Sequence, residues 1–166
     1  MTTTQGDNTL LSAIFSSNLA PNVWSQIGWT ILRVFVGLLM IHNGFSKLAD
    51  VEGFAEGVVT FIGLPFPVFF TYCAAYIEII GSILFALGLF TRPAAIALLS
   101  TMLVAIYFHI KDTGFSIRPY ETASLYALCF LFFLINGAGQ FSPDALIANY
   151  VGDSDSKQQS NPSSAS

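Results

Sequence analysis

Charged side chains are scarce in this chain: Asp, Glu, Lys and Arg make up 10% of its 166 residues, against about 25% in soluble globular domains. A soluble fold so poor in charge would lack the polar surface that keeps it dispersed, so that class is set aside first. Basic residues are scarcer than acidic ones, six against ten, and a net charge of −4 argues against nucleic acid as a partner. No Lys or Arg precedes Arg33, so the basic region of a cleavable signal is missing and the first apolar segment is expected to stay as a span. There are two cysteines, Cys73 and Cys129, each inside an apolar run. Without a CxxC or a metal-ligand spacing they read as small buried hydrophobes, which excludes a dithiol motif or a cysteine zinc site. Also missing are a haem-ligand pair on facing helices, a dinucleotide-binding glycine pattern and a flavin motif. Redox chemistry would therefore need a bound quinone or a cofactor-bearing partner.

What the chain has is apolar length. Hydrophobic residues make up 54% of it, and the mean hydropathy is +0.65. Four apolar segments are expected to be helices, at about 23–45, 67–90, 93–110 and 121–136. Trp24 and Trp29 stand near the start of the first, as interfacial anchors would. Pro93 opens the third, where its missing N–H costs nothing. Gly137-Ala138-Gly139 closes the fourth as a C-cap signal; that segment is short for a span, so it is expected to begin before Glu121 or to meet a thinned bilayer. The segments are apolar nearly all round, whereas a soluble bundle keeps a polar face on each helix. Between spans one and two, "EGFAEGVVTFI" places Phe54, Val58, Phe61 and Ile62 on one helical face, as a short interfacial helix would. The expected fold is all-α: an integral-membrane four-helix bundle over residues 23–146. A flexible N-terminus (1–22, with a short surface helix at Leu10–Phe15) and a disordered polar tail (147–166) flank it.

Four spans put both termini on one side with Arg92, here side A, and the other two loops on side B. Lys47, Lys111 and Arg118 lie near the spans on side B, so the positive-inside rule makes side B cytoplasmic. At ~1.5 Å rise per residue, Arg33 and Glu78 fall roughly 18 and 16 Å from the side-B ends of spans one and two. A lone charge at that depth is costly, so the two are expected to face each other. The pair reads either as a structural ion pair or as a proton-relay or substrate pair. Arg33, Gly37, Met40, Gly44 and Lys47 share one helical stripe, and Glu78 shares another with Ala74, Gly81, Ser82 and Phe85. Gly37, Gly44, Gly81 and Gly88 are expected at helix-packing contacts.

Five polar residues gather at the side-B rim: His42, Lys47, His109, Arg118 and Glu121. They read as groups meeting headgroups and water, or as a polar pocket for a quinone headgroup or another small ligand. Two His and one Glu are also the ligand types of a non-haem iron or zinc site. They come from three separate spans without local spacing, and His42 leaves its helix on the face opposite Arg33. No metal is therefore assigned, and no catalytic residue is identified.

The order Arg33, Gly37, Gly44 and Lys47-Leu48, then "GLP", then "AAYIEIIGSILFALGLFTRPAA", then "ETASLYALCFLFFLINGAGQFSPDAL" resembles the DoxX family of small four-span membrane proteins. The likeness runs from about Ile27 to Leu146, and its most specific part is Glu78 followed by Gly81, Gly88 and Thr91-Arg92. The wording of "MIHNGFSKL" and "TMLVAIY" is similar to cyanobacterial-type members. Ser82 stands where the family often has a second glycine, and Pro143 where leucine is common. The resemblance implies a four-helix membrane bundle without fixing a reaction. Family members are associated with thiosulfate:quinone oxidoreductase systems, with membrane complexes linked to thiol and superoxide defence, and with copper-peptide maturation clusters. Arg33, Lys47, Glu78, Arg92 and Glu121 match by position, whereas His42 and His109 are less dependable parts of the pattern. The function expected is a membrane subunit or accessory of a quinone- or thiol-linked redox system, not catalytic by itself. The alternatives are an assembly or scaffold protein for a membrane complex, and a small-solute or proton transporter, which four spans without an inverted repeat would complete only as a homo-oligomer. The cofactor entertained is quinone. The partners are the lipid bilayer and a membrane or soluble redox protein, in a bacterial inner membrane or, for a cyanobacterial chain, a thylakoid.

Overall fold

The computed structural model describes residues 22–115 and 117–150, and all of its regular structure is helical. The expected flexible N-terminus and most of the expected tail lie outside the described residues. Residues 147–150, assigned to the tail from sequence, instead finish a helix.

The first helix, α1 (Val23–Ala49), starts where the Asn22 side chain accepts the Trp24 N–H at 3.1 Å, an N-cap that satisfies one orphan donor. Its 27 residues give a rod of about 40 Å, longer than the ~30 Å hydrocarbon core of a bilayer. The helix thus runs four residues beyond the expected end at Phe45, because nothing from Ser46 to Ala49 breaks it. Asp50 ends it and starts α2 (Val51–Phe54) by accepting the Gly53 N–H at 2.9 Å. The chain then widens into a π-helical turn, Ala55–Thr60, whose wider winding buries Ala55 and Val59. Helix is therefore present over the expected segment; of its apolar face Phe54, Val58 and Ile62 are half-buried and Phe61 is exposed.

Helix α3 (Pro67–Leu87) carries Pro at its first position and ends at Gly88, which lies in the left-handed region at φ 76. The Gly88 N–H donates to Leu84 O and Phe85 O, and the Leu89 N–H to Leu84 O, a glycine-terminated helix end. The sequence reading carried this helix to Phe90; the glycine stops it three residues earlier. Helix α4 (Thr91–Thr113) follows, then α5 (Ile117–Asn136), which begins before Glu121 as its length requires. Gly137 and Gly139 at positive φ end α5, and residues 143–150 form α6.

Helix α1 packs on α3, α4 on α5, and α3 on α4. The core between them holds Met40, Phe85, Leu98, Phe130 and Phe133, all fully buried. Phe85 meets Phe130 and Phe133 edge-on at 5.2 and 5.0 Å, and Trp29 stacks on Phe132 at 4.3 Å; such pairs add modestly to the area they bury. Only one stripe of each helix is covered. Phe35, Ile31, Leu38, Ile80 and Leu103 are exposed apolar side chains on the outside, a surface suited to lipid. Among the described residues α1, α3 and α4 are each long and apolar enough to cross a membrane.

Candidate functional site: a polar-floored cavity between the helices

Two close glycine contacts set the register of α1 against α3. A Cβ on Gly37 would lie 2.8 Å from Ala86 Cβ and 3.0 Å from Ser82 O. One on Gly44 would lie 2.6 Å from Ile79 Cγ1 and 2.9 Å from Ala75 O. Gly37 thus sits midway between Ser82 and Ala86, and Gly44 midway between Ala75 and Ile79, so both contacts give one antiparallel register. Continued along the helices, it puts Arg33 opposite Gly88 and Glu78 opposite Asn43, about ten residues or 15 Å apart.

The expected Arg33–Glu78 pair is accordingly not formed. The glycine register sets Pro67 level with Phe54 rather than with Phe45, an offset of about nine residues of which the run-on of α1 to Ala49 supplies less than half, so Arg33 lies well toward side A of Glu78. The Arg33 guanidinium is caged by carbonyls: Nε donates to Ala86 O at 3.3 Å, Nη1 to Ala138 O, and Nη2 to Phe141 O at 3.1 Å. Ala86 lies in the last turn of α3 and Ala138 just beyond α5, so the negative ends of two helix dipoles converge on the cation. A Cβ on Gly88 would stand 2.6 Å from Arg33 Cζ. Asp144, the nearby anion acting on Arg33, is itself buried and caps α4. Its Oδ1 and Oδ2 accept the N–H groups of Phe90 and Thr91 at 2.7 and 2.8 Å, while its own N–H donates to Gly88 O. Gln26, also buried, accepts the Gln140 N–H at 2.8 Å. Together these contacts latch residues 138–144 across the side-A end. Sequence reasoning missed Asp144 and Gln26. The available signal was two glycine-terminated helices ending beside one arginine, with an aspartate following.

Glu78 has a different partner. Its Oε2 takes a 2.6 Å salt bridge from Lys47 Nζ, with side-chain exposures of 1% for Glu78 and 14% for Lys47. Lys47 also donates to Asn43 O at 3.4 Å and stands 5.2 Å from the centroid of the Phe54 ring, a cation–π contact that ties the α2 segment to the pair. Lys111 makes the matching tether at the far end, donating to Phe61 O at 2.6 Å and lying over the Phe61 ring.

This ion pair forms the polar floor of a cavity of about 550 Å³, within the usual range for small-molecule sites. Phe54, Val58 and Ile62 roof it from the α2 segment, α3 contributes Phe70 and Cys73, α4 contributes Thr101 and Phe108, and α5 contributes Thr122 and Tyr126. Of the five rim residues expected on side B, Lys47 and His109 line the cavity. His42, Arg118 and Glu121 are exposed outside it. Gly81 packs against Leu98, where a Cβ would meet Cγ at 3.3 Å. Among the described residues no three His, Cys, Asp or Glu side chains come together as metal ligands.

The DoxX family model matches residues 28–110, a span that includes Arg33, Lys47 and Glu78. An uncharacterized protein of Haemophilus influenzae is 37% identical over 118 residues, 68% of this chain and 85% of that one. The Escherichia coli "Inner membrane protein YphA" is 32% identical over 122 residues, covering 69% and 86% of the two chains. The Bacillus subtilis "Putative oxidoreductase CatD" is 35% identical over 82 residues, covering 49% of this chain and 58% of that protein. No solved structure matches. The membrane-length helices and these likenesses lead to one conclusion: the chain is an integral membrane protein and belongs to the DoxX family.

Proposed function

We propose that the protein is a four-span membrane subunit or accessory of a quinone- or thiol-linked redox system, with its cavity holding the ring of a lipid-soluble carrier of the quinone type. The observation that carries this reading is the salt bridge of buried Glu78 with half-buried Lys47 on the floor of a largely apolar, aromatic-lined cavity. A charge pair at that depth is retained at a cost in desolvation, which marks it as a functional candidate. The name of CatD supports the redox association. Helix α5 is the fourth span: its 20 residues reach about 30 Å, and it packs along α4. The segment 51–62 lies at the interface, held by Lys47 and Lys111, with side B cytoplasmic. A cofactor-bearing partner is the proposed site of electron transfer, in keeping with a sequence that carries no flavin, haem-ligand or dinucleotide motif.

The test is mild detergent purification from the native membrane together with co-purifying proteins, followed by quinone extraction and a quinone-reductase assay. The reading expects bound quinone or quinol in proportion to protein. Protein free of quinone, with no quinone-dependent activity in the presence of its partners, would overturn it.

A further inference from the structure

The hydrogen-bond inventory of the cavity floor is unequal between its two charges. Lys47 has three donors, and its surroundings use them: Glu78 Oε2 at 2.6 Å, Asn43 O at 3.4 Å and the face of Phe54. The neighbouring neutral donors are also engaged within their own helices. Thr101 Oγ1 donates to Leu98 O at 2.8 Å, Ser100 Oγ to Ala97 O at 2.6 Å, and one of the two Asn43 Nδ2 protons to Met40 Sδ at 3.6 Å. Glu78 is in the opposite position. An ionised carboxylate accepts at about four lone-pair sites; Lys47 takes one, and the Thr101 hydroxyl, whose single proton it shares with Leu98 O, takes at most one more. The floor therefore offers acceptor capacity and little donor capacity. On the walls, Thr122, Tyr126 and His109 can each give or take a hydrogen bond and impose no sign, so the one-sided group is the Glu78 carboxylate.

We propose that the cavity selects a hydroxyl-bearing aromatic ring, the reduced form of a quinone-type carrier, by a phenolic O–H donating to Glu78. The inference rests on the reading of this cavity as a ring-binding site and adds which redox form it prefers. A quinone offers carbonyl acceptors, and beside the Glu78 carboxylate these meet another acceptor. A quinol hydroxyl meets an open lone pair, and hydrogen bonds to a buried charged acceptor are the stronger class. Phe54, Phe70 and Phe108 give either ring the same apolar contact, so the discrimination falls on the oxygen substituents.

The experiment measures binding of three probes that share one ring to the full-length protein in nanodiscs: duroquinol under anaerobic conditions, duroquinone, and duroquinol dimethyl ether. The expected result is duroquinol binding roughly tenfold tighter than the other two, the scale of one charge-assisted hydrogen bond. In Glu78→Gln the quinol should lose most of that advantage while the quinone and the ether change by less than about twofold. Equal binding of all three probes by the wild type, or a preference for duroquinone, would overturn the inference and leave the ring-binding reading standing. Binding of none would remove both. An advantage that persists in Glu78→Gln would also refute the proposed contact, and if that variant fails to fold the wild-type series decides alone.

Discussion

Gly88 shows how much a single missing side chain can carry. It ends α3 at φ 76, and its open face receives the Arg33 guanidinium. Alanine would add backbone strain of about 1–3 kcal/mol and push the cation off its carbonyls. Gly88→Ala should therefore lower the thermal midpoint of the detergent-solubilised protein by several degrees. Gly57→Ala, where a Cβ meets nothing within 4 Å, should leave that midpoint unchanged or slightly raised. Asp144 is the second residue with several roles, since it caps α4 and supplies the anion acting on Arg33. Asp144→Asn should cost about 1–3 kcal/mol, because its amide oxygen can still accept one backbone N–H, without the charge, while its NH2 is left facing the other donor. Urea unfolding of the wild type and variant in the same detergent measures it.

The helix pairs decide which charges belong together. The glycine register of α1 on α3 places Glu78 within reach of Lys47 and holds Arg33 about 15 Å away. A double-mutant cycle separates these relations. Lys47→Met and Glu78→Leu should each destabilise by about 3–5 kcal/mol, because each strands a buried charge, and the double variant should recover much of the loss. Arg33→Leu combined with Glu78→Leu should instead add within about 0.5 kcal/mol. Strong coupling in the second cycle would contradict the observed register. Much of this layer was legible in the sequence: the apolar segments, the C-cap glycines after Asn136, the packing glycines at 37 and 44, and the Arg33–Lys47 stripe. The partner of Arg33 was not. Depth counting treats helix ends as level, and neither the run-on of α1 through Ser46 to Ala49 nor the start of α3 alongside Phe54 carries a local signal, so an offset of about nine residues fell on the residue whose partner was sought. Contacts such as Asp144 with Thr91 join residues 53 apart, and no local pattern encodes them.

At the scale of the whole molecule the two buried charge systems divide the bundle. Side A is closed by the Arg33 cage and the Asp144 cap, and the side-B half holds the cavity with the Lys47–Glu78 floor. The proposed four-span arrangement requires the α3–α4 turn and the α4–α5 turn to emerge on opposite faces. In a Cys73→Ser, Cys129→Ser background, Leu89→Cys should react with an impermeant maleimide from outside intact cells, and Phe115→Cys only after the membrane is opened. Reaction of both from one side would rule out the four-span arrangement. Occupancy of the cavity by a quinone-type ring is the central proposal. It is tested most directly by photolabelling the membrane-embedded protein with an azidobenzoquinone and mapping the adducts by mass spectrometry. Adducts are expected on Cys73, Thr101 or Tyr126, and excess duroquinol should suppress them. Adducts confined to outward residues such as Phe35 and Leu103, and indifferent to competitor, would contradict it.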